Sequence, residues 1–204
     1  MTSPALAIRP LRLQELVIAA HVAARGMREN PLNIAAFGRE TAKREERIRG
    51  MFRIGLSIAH RNGLVLGAFD GAVLVGVAAT TPSTKCQTGP KEKLLLLPAT
   101  IRAVGFSGLM HVLTWRSRWA AHDLAEPHWH LGPLAVDSDL QGKGIGSALM
   151  VDYCARLDEA NAVGYLETDK AVNVKFYERF GFKTVAKAPV LNIPNWFMRR
   201  ATGG

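Results

Sequence analysis

Cysteine is scarce in this sequence, and its two cysteines, Cys86 and Cys154, stand in unlike surroundings. They form no CxxC pair and suggest no disulfide framework of the kind that small secreted domains use. We therefore expect structural or incidental roles for both, since a free cysteine commonly behaves as a small hydrophobic residue. The N-terminus lacks a basic start followed by a continuous apolar stretch, so we expect no secretory signal and a cytoplasmic location.

Long, mainly hydrophobic stretches are also few. The longest, LLLLPATIRAVGFSGLMHVL from Leu94 to Leu113, has about the length needed to span a bilayer. Pro98, Arg102 and two glycines interrupt it, however. We interpret it as buried helical or irregular structure and expect no membrane partner, with contact at a membrane interface as the alternative.

The composition is that of an ordinary globular protein, with 204 residues of which 48% are hydrophobic and 21% charged. We expect one domain over residues 1–204. A helical insertion is expected at about 85–125, because the segment from Pro82 to Pro127 is too long for a bare loop. The formal net charge of +9 fits nucleic acid, an anionic membrane or an anionic small ligand, and does not choose among them.

The spacing of apolar residues predicts both helices and strands. An Asp-Gly pair between two β-rich runs indicates a hairpin. In HWHLGPLAV, Gly132 and Pro133 indicate a local irregularity, since proline cannot donate to a sheet ladder. The predicted strands are Ala7–Arg9, Leu64–Asp70, Ala72–Thr81, His128–Val136 and Tyr165–Thr168, and the predicted helices include Leu13–Met27 and Gly38–Ala59.

The segment after HWHLGPLAV, DSDLQGKGIGSALM, carries three glycines close together. A Walker-type phosphate loop fails, because Asp137 and Gly144 stand where it needs a glycine and a hydroxyl. A dinucleotide fingerprint is weak, because Ser147 stands where glycine or alanine is needed. What remains is a strand, a loop and a helix start whose free backbone N–H groups and dipole favour a pyrophosphate. A glycine-rich turn without a ligand is the alternative.

A second pattern, GYLETDKAVNVKFYERFGF, predicts a strand, a short helix and a further strand. Asn173 and Tyr177 are four positions apart and therefore share one helical face, while Phe176 and Phe180 share another. One face can pack inward and the other can present polar groups. Gly181 is a suitable residue for ending the helix.

Together, LAVDSDLQGKGIGSALM and NVKFYERFGF resemble the GNAT superfamily of acyl-CoA-dependent N-acyltransferases. Within the superfamily, HWHLGPLAV, QGKGIGSAL and YLETDKAVNVKFYERFGF most nearly resemble the puromycin N-acetyltransferase group. The resemblance covers about residues 129–185. It implies an α/β (α+β) GNAT fold, with a central mixed, mostly antiparallel twisted sheet that is flanked by helices and splayed at the acyl-CoA site. It also implies acetyl-CoA as the co-substrate.

The resemblance also implies roles for individual residues. The end of the strand His128–Val136 would bind the pantetheine arm through its backbone, and the glycine loop would hold the pyrophosphate. Asn173 would form a hydrogen bond with the pantetheine. Tyr177 would donate a proton to the departing thiolate. The implied coenzyme-binding residues are Leu134, Ala135, Val136, Gln141, Gly142, Lys143, Gly144, Ile145, Gly146, Ser147 and Asn173.

The reaction also needs a base, because an aliphatic amine is protonated at neutral pH and must lose a proton before it attacks the thioester. The candidates are Glu167, His128, His130 and Asp137. Glu167, on the strand beside the expected gap, is our choice as the second catalytic residue, with a structural role as the alternative. His128 and His130 share a strand face, but no third ligand at a useful spacing is visible, so we expect no metal.

We expect an N-acetyltransferase that moves acetyl from acetyl-CoA to an amine of a small molecule, by direct attack through a tetrahedral intermediate. Two other classes stay open. A non-catalytic acyl-CoA-binding sensor or interaction protein would carry the same coenzyme loop. A nucleic-acid-binding protein would fit the charge, but the sequence lacks zinc spacing and an aromatic RNA-binding motif, so we expect no nucleic-acid partner. A homodimer is also left open.

Overall fold

A computed structural model describes residues 6–87 and 89–203 of the chain. Short 3-10 turns at Leu13–Glu15 and Ser138–Leu140 precede two of the helices. The strands are β1 (Ala7–Pro10), β2 (Leu64–Asp70), β3 (Val73–Pro82), β4 (His128–Val136), β5 (Val163–Thr168), β6 (Lys183–Val190) and β7 (Ile193–Arg200). The helices are α1 (Leu16–Met27), α2 (Pro31–Phe37), α3 (Thr41–Asn62), α4 (Ser83–Cys86), α5 (Pro90–Ala120), α6 (Ile145–Glu159) and α7 (Ala171–Glu178).

The strands form one sheet in the order β1-β2-β3-β4-β5-β7-β6. Neighbouring strands are antiparallel except for β4 and β5, which are parallel and are connected through α6. Each face of the sheet is covered by helices, because successive strand residues point to opposite faces and both faces are apolar. The expectation of a mixed, mostly antiparallel sheet flanked by helices is confirmed.

Two apolar cores lie on the two faces of the sheet. On one face, α1 and α3 pack against alternate residues of β2 and β3, such as Val65 and Val77, and α5 packs against α3. On the other face, α6 covers the intervening residues, such as Leu66 and Ala78. The first core contains an alanine-rich face of α1, whose small side chains let the helix lie close to the sheet.

The sheet opens between β4 and β5. These strands pair only over His128–Leu131 and Val163–Leu166, whereas β4 continues to Val136. Along its other edge β4 stays paired with β3 as far as Val136, after an irregularity where Gly132 and Pro133 lie. The last five residues of β4 therefore have β3 on one side and a gap on the other.

Helix α5 departs from the sequence-based expectation. The segment is helical, with a break at Gly105 where φ is 73°. The helix is largely exposed, so the expectation that this apolar run is buried is wrong. By length and composition Lys93–Ala120 could cross a membrane, and 22% of its most apolar window is buried in the fold. The exposed apolar side chains include Leu94, Leu95, Phe106, Met110 and Leu113.

Candidate functional site

The glycine loop lies directly beyond the open part of β4. Gly142 and Gly144 have φ values of 79° and 83°, in the left-handed region that favours glycine. Helix α6 begins at Ile145, immediately after Gly144. The N–H groups of its first turn have no partners within the helix, and the positive end of the helix dipole lies at the same place. The loop therefore has the backbone conformation that an anion site requires.

We expect Gly144→Ala to destabilise the protein by roughly 1–2 kcal/mol, because alanine in the left-handed region brings its Cβ close to the following carbonyl oxygen. The matched control is Gly55→Ala. Gly55 lies inside α3, has no positive φ and has open space at its Cβ position, so alanine should be neutral or stabilising there. Urea unfolding of the two variants measures the difference, and equal effects would contradict the strain argument.

The loop is tied to α1 by side-chain contacts. The Gln141 Nε2 amide donates to the carbonyl oxygens of Gly26, at 2.9 Å, and Val136, at 3.2 Å. A Cβ at Gly26 would overlap the Val136 carbonyl, so glycine permits the close approach of α1 to the end of β4. Within this predicted coenzyme loop, the Gln141 side chain therefore positions the backbone.

Asp137, one of the candidate bases, is engaged elsewhere. Its carboxylate pairs with Arg25 of α1 and accepts from the Asp139 N–H at the start of the 3-10 turn. These contacts hold the carboxylate against α1 and the 3-10 turn. The geometry gives Asp137 the role of fastening the loop and does not support its candidacy as the base.

Helix α7 adjoins the start of α6. The Asn173 Nδ2 amide donates to Thr168 Oγ1 at 3.2 Å, which fixes the helix to the end of β5. An open groove of about 460 Å³ runs along α7. Lys175 and Arg179 of the groove, together with Lys143 in the glycine loop, supply positive charge suited to a phosphorylated ligand. The groove is lined by Val172, Asn173, Lys175, Phe176 and Arg179.

Tyr177 lies on the buried side of α7. Its ring makes edge contacts with Phe176 and Phe182, and the side chain belongs to the core that α6 covers. Burial, and next the charge of Asp169, raise the pKa of its hydroxyl well above the ordinary value. The hydroxyl therefore keeps its proton at neutral pH and is available as a hydrogen-bond donor.

Glu167 lies where the pairing of β4 and β5 ends. It follows Leu166, the last β5 residue paired with β4, and its carboxylate lies 2.7 Å from Nε2 of His130. The Glu167 side chain is 2% exposed and that of His130 is 20% exposed. Burial acts to lower the pKa of His130, but Glu167 and Cys86 outweigh this effect and raise it to about 10. The predicted catalytic carboxylate thus has a histidine partner at the fork, the point beyond Leu131 and Leu166 where β4 and β5 separate.

Cys86 and Asp123 complete this group of polar side chains, and the sequence analysis did not associate them with it. Ligand atoms of Cys86, Asp123, His128 and His130 all lie within 4.8 Å of one another. Helix α5 separates Cys86 from Asp123 along the chain, so no short spacing joins them. The His-x-His pair on β4 is the local signal that could have prompted a search for more distant partners.

A family model described as the acetyltransferase (GNAT) family matches residues 34–182. The chain belongs to this family. The match includes the open part of β4, the glycine loop, α6, β5 and α7.

Solved structures agree with the GNAT fold. A Corynebacterium glutamicum structure, described as histone acetyltransferase HPA2 and related acetyltransferase, matches with a TM-score of 0.73 and 19% identity, covering 98% of this chain and 97% of that chain. The PaiA N-acetyltransferase of Thermoplasma acidophilum, in complex with coenzyme A, matches with a TM-score of 0.60 and 17% identity, covering 97% of this chain and 99% of that chain. The Drosophila melanogaster polyamine N-acetyltransferase matches with a TM-score of 0.61 and 14% identity, covering 97% of this chain and 100% of that chain.

Proposed function

We propose that this GNAT chain transfers an acetyl group from acetyl-CoA to an amine of a small molecule. One observation carries the proposal: the strand edge left open by the fork leads directly into a glycine turn and a helix N-terminus. Acetyl-CoA has an extended pantetheine arm followed by a pyrophosphate, and these two parts fit the open strand edge and the glycine turn that follows it. Support also comes from the Thermoplasma relative, solved with coenzyme A, and from the Drosophila relative, a polyamine N-acetyltransferase.

The pantetheine arm would lie along Leu134, Ala135 and Val136 as an added strand. Amides of the arm would form hydrogen bonds with the open edge of β4, in the manner of an extended peptide that adds to a sheet. The pyrophosphate would then lie on the amides of Gly142–Ser147. In this arrangement the thioester would lie at the fork, close to Glu167.

The chemical step needs a base, an oxyanion site and a proton donor. In the proposed reaction, Glu167 takes a proton from the ammonium form of the acceptor, directly or through water. The neutral amine attacks the thioester carbonyl, and a backbone N–H of β4 in the gap stabilises the tetrahedral oxyanion. As the C–S bond breaks, Tyr177 donates its proton to the departing sulfur. The remaining extra proton of the attacking nitrogen passes through water to the Tyr177 oxygen, and Glu167 releases its proton to solvent. The products are the N-acetyl amine and coenzyme A.

Thermal unfolding with acetyl-CoA, with coenzyme A and with a duplex oligonucleotide tests binding. A ligand that binds only the folded state raises the melting temperature by mass action. We expect a rise with both coenzyme forms and none with DNA. A rise with DNA alone would mean that the glycine loop has no coenzyme role and that the net charge serves nucleic acid.

Release of coenzyme A thiol across a panel of polyamines, amino acids and aminonucleosides then tests turnover. Acceptor-dependent thiol release, with the acetylated amine found by mass spectrometry, is the expected result. Coenzyme binding without transfer to any amine in the panel would favour the non-catalytic sensor. Using several amine classes keeps this result from depending on one choice of acceptor.

A further inference from the structure

We infer that Cys86, Asp123, His128 and His130 form a binding site for a divalent zinc-type metal ion. The earlier expectation of no metal rested on the lack of a third ligand near the two histidines, and the fold supplies two. The inference rests on the geometry of these side chains and does not depend on the proposed acetyl transfer.

The four ligands come from three parts of the fold. Cys86 ends α4, Asp123 lies in the connection after α5, and the two histidines lie on one face of β4. Cys86 Sγ is 3.4 Å from Asp123 Oδ2, and His128 Nε2 is 2.9 Å from Asp123 Oδ1. Bonds of about 2.0–2.3 Å to a tetrahedral zinc ion separate ligand atoms by roughly 3.3–3.8 Å. The ligand atoms therefore need only small movements to bind one ion.

His128 gives the strongest indication. Its Nδ1 is 2.9 Å from the Glu126 carbonyl oxygen, which can only accept a hydrogen bond, so Nδ1 carries a proton. In the neutral ring Nε2 then presents a lone pair toward the cluster. Nε2 is buried and has no hydrogen-bond partner among the described residues, although it lies 2.9 Å from Asp123. At this distance the imidazole nitrogen and the carboxylate oxygen share a cation, which is either a bound metal ion or a proton on Nε2.

The ligands are themselves held by neighbouring groups. The Gln87 Nε2 amide donates to Asp123 Oδ2 at 2.8 Å, and the Leu124 N–H donates to Asp123 Oδ1 at 3.1 Å. In the proposed site His130 binds the ion through Nδ1 and donates its Nε2–H to Glu167. Carboxylate and carbonyl partners of this kind orient metal-binding histidines and fix their tautomers.

The donor set selects the kind of metal. One thiolate, two imidazoles and one carboxylate are ligands that zinc accepts in tetrahedral geometry. Magnesium and calcium favour sites made of oxygen ligands, so this set suits them poorly. A competing explanation needs no metal: a proton on His128 Nε2 would make an imidazolium that pairs with Asp123. The experiment separates these two cases.

Cobalt(II) titration of the chelator-treated, reduced protein tests the site. We expect one equivalent of Co²⁺ to give the visible bands of a tetrahedral ion and a near-ultraviolet band from thiolate-to-cobalt charge transfer. Zinc should displace the cobalt and abolish both. Wild-type protein that gives no charge-transfer band would overturn the inference and favour the imidazolium.

Cys86→Ser and Cys154→Ser form a matched pair, because the chain has only these two cysteines. Cys86→Ser should lose the charge-transfer band and bind zinc more than about 100-fold more weakly, beyond the range typical for the loss of an outer partner. Cys154→Ser should keep both properties. Loss of the band in Cys154→Ser but not in Cys86→Ser would contradict the assignment.

Asp123→Asn provides a second variant in case Cys86→Ser fails to fold. It should keep the charge-transfer band, because the thiolate is still present, while zinc binds more weakly than to wild type. Unchanged zinc affinity in Asp123→Asn would count against the site. None of these measurements uses acetyl-CoA, so a failure here and a failure of the proposed function can be told apart.

Discussion

Tyr177→Phe should lower kcat by about 10²- to 10⁴-fold, the range over which a positioned proton donor contributes, and leave coenzyme affinity nearly unchanged. The ring and its packing against Phe176 and Phe182 are kept, and only the hydroxyl is lost. Because burial keeps this hydroxyl protonated, its removal takes away a donor without removing a charge. Thiol-release kinetics give kcat, and titration calorimetry with coenzyme A gives the dissociation constant.

Tyr153→Phe is the matched control for this prediction. Tyr153 is also buried, on α6, and its hydroxyl donates to the Trp129 carbonyl oxygen at 2.8 Å. Its loss should cost stability of about 1 kcal/mol, the usual net contribution of one hydrogen bond, with kcat little changed. Unchanged turnover in Tyr177→Phe would show that Tyr177 is a core residue without a part in the reaction.

Glu167→Gln should lower kcat by a similar factor of about 10²–10⁴, since a positioned general base contributes over that range. Glutamine has nearly the same shape and can still hydrogen-bond His130, but it cannot accept the acceptor's proton. Raising the pH should partly restore the rate, because more of the amine is then already neutral. The measurement is a pH–rate profile of wild type and variant at saturating acetyl-CoA.

Glu126→Gln is the control for the loss of a carboxylate. Glu126 lies just before β4, and its carboxylate pairs with Arg199 at the protein surface. Its replacement should leave both kcat and the pH–rate profile unchanged. A purely structural Glu167 would behave differently from the prediction: the melting temperature of Glu167→Gln would fall while kcat at saturating substrates stayed near the wild-type value.

The parts of the fold that sequence analysis located best are those with local signals. The predicted strand His128–Val136 matches β4 at both ends, because an apolar β-rich run is bounded by Pro127 on one side and Asp137 on the other. The hairpin of β2 and β3 was found from its Asp-Gly turn, where Gly71 has a φ of 58°. The glycine loop was recognisable because its left-handed backbone at Gly142 and Gly144 favours glycine, so the sequence itself shows the conformation.

Short or partly polar elements were missed. Helix α2, Pro31–Phe37, has only seven residues, too few for a clear helical period. Strand β7, Ile193–Arg200, contains a proline and two arginines, and its place between β5 and β6 follows from pairing with both. These elements owe their stability to tertiary contacts that no local pattern expresses.

Side-chain partners distant in sequence were also beyond prediction. Asp137 looked free to act as a base, but α1 brings Arg25 to it across 112 positions. His130 and Glu167 were separate candidates, and the parallel pairing of β4 and β5 joins them. Cys86 was read as incidental because its partners come from beyond a 31-residue helix. Such assignments need the register of strands and the path of the chain.

The fork between β4 and β5 also bears on the rigidity of the molecule. Four residue pairs, His128–Leu131 with Val163–Leu166, are the ladder that joins β1–β4 to the β5-β7-β6 part of the sheet. A pantetheine arm in the gap would add hydrogen bonds along Leu134–Val136, so the ligand would serve as a removable strand. Amide protons on this edge should then exchange with deuterium quickly in the free protein and slowly when coenzyme is bound. Coenzyme occupancy and local stiffness of the sheet would thus rise together.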